Sequence, residues 1–128
     1  MLLLDTDVMV DLLREYPPAV EWVVANGGEI VLPGYVAMEL IQGCKNKIEQ
    51  ERLEKILGAY AIAWPTPPIC DQALEVFAHY YLSHTVGIFD ALIGQLAVSL
   101  NAPLYTFNQK HYAAIPNLKI AQPYPKEA

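Results

Sequence analysis

Three acidic residues occupy positions where a carboxylate needs a partner that the neighbouring sequence does not supply. Asp5 directly follows the apolar run Leu2-Leu3-Leu4, Glu39 stands among mostly apolar residues, and Asp90 opens an apolar helical segment. No Lys or Arg neighbours any of them in sequence, and burying an unpaired carboxylate costs free energy. A divalent cation with oxygen ligands would satisfy this need, and the chemistry it favours is hydrolysis by a metal-activated water.

A structural role remains open for two of these acids. Asp5, like Asp7, could cap the first helix, and Asp90 could be a first-turn acid that the helix dipole favours. Capping does not explain Glu39, because it lies inside the predicted helix 35–45 between Met38 and Leu40. Taken together, the three acids favour a site.

The elements that would position these acids alternate along the chain. Short apolar runs predict five strands, at 2–4, 29–32, 60–64, 104–106 and 118–120. Helical spacing of apolar residues separates them, at 8–15, 21–24, 35–45, 46–57, 69–82 and 87–97. This alternation predicts an α/β fold with a central, mostly parallel five-stranded sheet, whose ligands bind at the carboxyl ends of the strands. Asp5, Glu39 and Asp90 can all meet at that edge.

Composition limits the alternatives. With 128 residues, 54% apolar, we expect a single domain over 1–128. No apolar run is long enough to span a bilayer and the first ten residues carry acids, so no membrane segment and a cytoplasmic location are expected. Cys44 and Cys70 lack a metal-binding spacing and are interpreted as packing thiols.

Four motifs in order give the chain a family resemblance. They are Leu3-Leu4-Asp5-Thr6-Asp7 followed by Asp11-Leu12-Leu13, then Glu39-Leu40 with Gly43, then Asp90-Ala91-Leu92-Ile93, and finally 106–112, Thr-Phe-Asn-Gln-Lys-His-Tyr. In this order and spacing the chain resembles the PIN-domain family, and within it the VapC-type toxins, over nearly its whole length. The resemblance implies a three-layer α/β/α fold.

The resemblance also implies an activity, a cofactor and partners. It implies a Mg²⁺- or Mn²⁺-dependent endoribonuclease, usually a homodimer, that a cognate antitoxin protein holds inactive. Asp5, Glu39 and Asp90 match its metal ligands. Asn108 matches a position that is often a fourth acid in the family. Because its amide contributes no charge, the resemblance supports one metal ion better than two.

Four further residues are given auxiliary roles. Asp7 is expected to restore part of the charge that Asn108 lacks, and Thr106 to orient an acid. Lys110 and His111 lie near the expected site and could contact phosphate or lie on a solvated loop. His111 is interpreted as a surface or packing residue rather than a general acid.

Net charge and rival motifs define the alternatives. A net charge of −6 is unusual for an enzyme acting on nucleic acid, although acids that bind a metal do not repel the substrate. A phosphatase of the haloacid-dehalogenase type would also begin with Asp-x-Asp, but it requires Thr or Val where Met9 stands. A PIN-like RNA-binding or partner-binding module with a weakened metal site is the other alternative. Eight tyrosines, among them Tyr80 and Tyr81 on a predicted helix, predict a two-fold interface.

Overall fold

The computed structural model describes residues 1–126 as a parallel sheet covered by helices, an α/β/α arrangement. The last two residues of the expected domain, 127–128, lie outside the described part. The strands are β1 Leu2–Leu4, β2 Ile30–Pro33, β3 Ala61–Ala63, β4 Leu104–Tyr105 and β5 Ile120–Ala121. Their order in the sheet is β3-β2-β1-β4-β5, and every neighbouring pair is parallel. The predicted parallel five-stranded sheet is confirmed.

Seven α-helices are described, and several begin earlier than the sequence predicts. They are α1 Thr6–Leu13, α2 Pro17–Asn26, α3 Gly34–Gln42, α4 Lys47–Leu57, α5 Pro67–Tyr80, α6 Ile88–Ser99 and α7 Gln109–Tyr112. The helices predicted at 21–24 and 69–82 begin instead at Pro17 and Pro67, because a missing N–H costs nothing in a first helical turn. No described helix is both long and apolar enough to cross a membrane.

The carboxyl ends of β1, β2 and β4 bring distant parts of the sequence together. β1 lies between β2 and β4, and its Leu3 and Leu4 are fully buried. The backbone N–H of Asp5 donates to the Tyr105 carbonyl at 3.0 Å, so the chain leaves β1 beside the end of β4. α3 begins directly after β2 and carries Glu39 toward the same edge.

Close packing against α6 fixes the segment after β4. A Cβ at Gly94 would overlap the Ile115 side chain and lie 3.5 Å from the Tyr112 ring. The missing side chain therefore lets Tyr112, which is almost fully buried, approach α6 near the site.

Candidate functional site

Asp5 is the most buried acid at this edge of the sheet. It is the N-cap of α1, the structural role that the sequence left open for it, and its Oδ1 accepts from the Thr6 backbone N–H at 2.8 Å. Its Oδ2 accepts from the Thr106 hydroxyl at 2.8 Å. Burial raises the pKa of Asp5 against the lowering effect of these hydrogen bonds. Capping therefore occupies one oxygen, and Thr106 orients the other.

Asp7 and Thr106 connect Asp5 to the loop after β4. Asp7 Oδ2 accepts from the Phe107 backbone N–H at 2.8 Å, while Oδ1 accepts from that of Val8 at 2.8 Å. Fully buried Thr106 also accepts from the Asn108 backbone N–H at 3.0 Å. Burial, followed by the charge of Asp5, raises the pKa of Asp7 to about 6. Thr106 thus lies where it can orient Asp5, whereas Asp7, which was expected to supply charge, also holds the loop after β4.

Glu39 reaches the same site from α3. Its Oε1 accepts from the Thr6 hydroxyl at 3.2 Å. Burial is the main reason that its pKa is raised, with the charges of Asp5 and Asp90 adding to the effect. Thr6 links this acid to Asp5, because its backbone N–H donates to Asp5 and its hydroxyl donates to Glu39.

Asp90 lies at the start of α6 and has two contacts of its own. Its Oδ2 accepts from the Gly87 backbone N–H at 2.8 Å, which is the capping role left open by the sequence. His111 Nδ1 lies 3.6 Å from the same oxygen, with 46% of the His111 side chain exposed. His111 was expected near the site, and the structure places it against Asp90, which is distant in sequence.

The donor set fits a hard divalent cation in chemistry. All three acids offer oxygen, and among the described residues none donates a hydrogen bond to Oε2 of Glu39 or Oδ1 of Asp90. No group of three or more His, Cys, Asp or Glu side chains within 1–126 stands ready to hold an ion. Thr6 holds Glu39 and Gly87 holds Asp90, so their carboxylates would have to turn toward Asp5.

Three residues complete the surroundings of the acids. Asn108 is exposed and is the N-cap residue of α7, and Lys110 is exposed on that helix. Tyr112 lies close to Asp5 and lowers the pKa of that acid, while burial raises the pKa of Tyr112 itself far above its ordinary value. Tyr112 thus stays neutral. Only its place in the last motif pointed to Tyr112 from the sequence, and nothing there indicated this role.

These raised pKa values predict that the metal-free protein loses stability as pH rises. Asp7 titrates at 3.8 when unfolded and at about 6 when folded, so the folded state binds more protons between these values. Proton binding by Asp7 therefore adds fully to the free energy of unfolding below about pH 4, and this contribution should be lost by about pH 7. Urea unfolding in EDTA from pH 4.5 to 7.5 should show this fall.

Asp7→Asn provides the control for that experiment. The substitution replaces one of the two carboxylate oxygens that accept backbone N–H groups, so it should change the free energy of unfolding at every pH. The quantity to compare is therefore how that free energy changes with pH. The stability of the variant should depend less steeply on pH than that of the wild type. A wild-type stability that increases through this pH range would contradict the assignment of buried, mutually repelling acids.

Comparison with known proteins shows the family of this chain. The family model described as "PIN domain" matches residues 2–116. "Ribonuclease VapC19" of Mycobacterium tuberculosis is 31% identical over 123 residues, 93% of this chain and 98% of that protein. "Ribonuclease VapC10" of the same organism is 28% identical over 122 residues, 93% of this chain and 91% of that protein.

A solved structure shows the same fold. "Crystal structure of DNA bound VapBC from Salmonella typhimurium" superposes with a TM-score of 0.80 at 22% identity, covering 97% of this chain and 100% of that one. The family match and the structural superposition both extend over most of the chain. The chain belongs to the PIN-domain family and resembles its VapC ribonucleases.

Proposed function

We propose that this protein is a metal-dependent endoribonuclease and the toxin of a toxin-antitoxin pair. The observation that supports the proposal is a set of shared contacts: Thr6 binds both Asp5 and Glu39, and Asp90 lies 3.6 Å from His111, the neighbour in sequence of Tyr112 beside Asp5. The VapC ribonucleases that match nearly the whole chain support RNA as the substrate.

The residues at this edge would hold Mg²⁺ or Mn²⁺ and prepare it for hydrolysis. Asp5, Glu39 and Asp90 are the proposed ligands, and the bound ion would polarise a phosphoryl oxygen and lower the pKa of a coordinated water. Thr106 keeps Asp5 Oδ2 turned into the site through its 2.8 Å hydrogen bond. Asp7 adds charge close to Asp5, while Asn108 supplies none, so one ion is favoured over two.

The shape of the surface gives the RNA a path to these acids. A groove of about 550 Å³ is lined by side chains of α1, α3 and α4 and includes Thr6 and Glu39 at the site. Arg14 and Arg52 also line it and would meet phosphates, which reduces the objection raised by the net charge of −6. Exposed Lys110 would add a further contact from α7.

The same groove supports an antitoxin as partner. Apolar side chains such as Val10, Leu13 and Leu40 line it beside the two arginines, which suits a protein segment with apolar and acidic residues. Solved structures with this fold include toxin-antitoxin complexes. A segment bound there would cover Glu39 and so inhibit cleavage, in the cytoplasm where both proteins are made.

Cleavage of single-stranded RNA by the purified chain tests the proposal. The wild type should cleave with Mn²⁺ or Mg²⁺ and lose activity in EDTA, leaving 5′-phosphate and 3′-hydroxyl ends. RNA binding without cleavage at any metal concentration would instead support the alternative, a binding module with a weakened metal site.

A homodimer is the expected assembly, formed through α5 and α6. An apolar groove of about 310 Å³ lies between these helices, and Leu74 and Ile88, which line it, are 66% and 64% exposed. Burying such side chains against a second copy would remove a large apolar patch from water. Light scattering at micromolar concentration should give twice the mass of one chain for the wild type. The Leu74→Asp variant should give the mass of a single chain. A wild-type monomer would contradict the dimer.

A further inference from the structure

A buried acid on α1 is tied to the segment 122–126, here called the strap. Asp11 is 8% exposed, and its Oδ2 accepts from the Tyr124 hydroxyl at 2.7 Å and from Lys126 Nζ at 2.8 Å. The Gln122 side chain donates to the Tyr124 carbonyl at 2.9 Å and holds the strap in shape. The proposed chemistry uses none of these residues.

The strap also covers the ring of Phe107. The Tyr124 and Phe107 rings lie 5.1 Å apart, and Lys126 Nζ stands 4.7 Å from the Phe107 centroid. Tyr16 packs against Tyr124, with the two ring centroids 5.9 Å apart. Aromatic and cation–π contacts of this kind restrict the ring they surround.

Phe107 and its neighbour Thr106 bind the acids of the site directly. The Phe107 backbone N–H donates to Asp7 Oδ2 at 2.8 Å. The preceding Thr106 hydroxyl donates to Asp5 Oδ2 at 2.8 Å. A continuous series of contacts thus runs from Lys126 and Tyr124 to Asp5.

We propose that Tyr124 and Lys126 are positioning residues of the metal site. By holding Phe107 they fix the loop that orients Asp5 and Asp7, and thereby increase the affinity for the divalent cation. The inference rests on the metal site of the proposed function, but it makes its own prediction about metal binding that needs no RNA.

Simple electrostatics predicts the opposite sign, which makes the test sharp. Lys126 is a cation near the acids, so removing its charge should by itself tighten the binding of another cation. Loss of positioning should weaken it. The sign of the change in Mn²⁺ affinity therefore separates the two effects.

The experiment is calorimetric titration of the metal-free full chain with MnCl₂ at fixed pH. Lys126→Ala should raise the Kd for Mn²⁺ by roughly 5- to 20-fold, near the lower range for groups that orient metal ligands. Lys126→Arg keeps both the ion pair and the contact with Phe107, so it should restore the affinity. Tyr124→Leu, which removes the hydroxyl and the aromatic ring, should act in the same direction as Lys126→Ala.

Lys119→Ala is the matched control. Lys119 Nζ binds Asn101 Oδ1 at 3.2 Å, and its backbone accepts from the first residue of β4, at the opposite edge of the sheet. The control removes the same charge and should leave the Kd unchanged.

The outcomes distinguish this inference from the proposed function. An unchanged or lower Kd in Lys126→Ala overturns the positioning role while leaving the nuclease proposal intact. A wild type that binds Mn²⁺ but cleaves no RNA removes the nuclease proposal, and the effect of Lys126→Ala on the Kd still decides the positioning role. A wild type that binds no Mn²⁺ overturns both.

Discussion

Asp5→Asn and Asp90→Asn are each expected to reduce RNA cleavage by at least about 100-fold and to relieve growth inhibition. The estimate follows because even groups that only orient metal ligands are worth roughly 10- to 100-fold. Cleavage of a labelled RNA in MnCl₂ and growth after induction measure the two effects. The substitutions remove charge from the proposed ligands without removing their shape.

The hydrogen bonds around both residues explain why these variants should still fold. Asn at position 5 keeps an oxygen for the Thr6 N–H, and its amide can donate to Thr106, whose hydroxyl can turn to Asp7 Oδ2 at 3.5 Å. Asn at position 90 can still accept from Gly87. Asp5→Asn should even stabilise the metal-free protein, since burial disfavours the charged form.

Asp71→Asn is the matched control for this series. Asp71 is exposed on α5, and its replacement should leave cleavage and growth inhibition as in the wild type. Full activity in a folded Asp5→Asn or Asp90→Asn variant would leave the three acids with structural roles only and would remove the nuclease proposal.

Metal binding should raise the melting temperature of the wild type by roughly 10 °C. Ligand at a hundredfold excess over Kd stabilises the folded state by about 2.7 kcal/mol, and a chain of this size shifts by several degrees for each kcal/mol. The gain comes from neutralising acids whose pKa values burial and mutual repulsion have raised. Melting curves with EDTA, MgCl₂ and MnCl₂ measure it, with Mn²⁺ effective at lower concentration.

Asn108→Asp tests whether a fourth acid can join this site. Asn108 follows the Thr106–Phe107 loop, and its backbone N–H already binds Thr106. An added carboxylate should lower the melting temperature in EDTA and increase the shift with Mn²⁺. Asn117→Asp adds the same charge in an exposed turn and should change neither. If Mn²⁺ raises the melting temperature of neither the wild type nor Asn108→Asp, the proposed metal site is wrong. If Mn²⁺ raises both melting temperatures equally, Asn108 lies outside the metal site.

The sequence predicted the fold because each element carries its own pattern. Leu2-Leu3-Leu4 is apolar on both faces, as a central strand between helices must be, and β1 is the middle strand of the sheet. Helix starts were less accurate. α1 begins at Thr6 and α5 at Pro67, ahead of the first apolar positions, because a first turn is set by capping and by proline geometry.

The acidic residues could be selected as a set from sequence because each lacked a local partner. Parallel strands place the residues beyond their carboxyl ends at one edge, so the order of the elements alone leads to the expectation that Asp5, Glu39 and Asp90 meet there. Their joint binding of a metal ion stays a prediction. Their capping contacts were also foreseeable, since both Asp5 and Asp90 bind backbone N–H groups one or three residues away.

Contacts between distant residues were decided only by the tertiary structure. Thr106 binds Asp5 across 101 positions, and Lys126 binds Asp11 across 115. His111 and Tyr112 reach Asp90 and Asp5 in the same way. The physical reason is that residue type and periodicity encode local geometry and burial, whereas the partner of a buried polar group depends on which loops the packed core brings together.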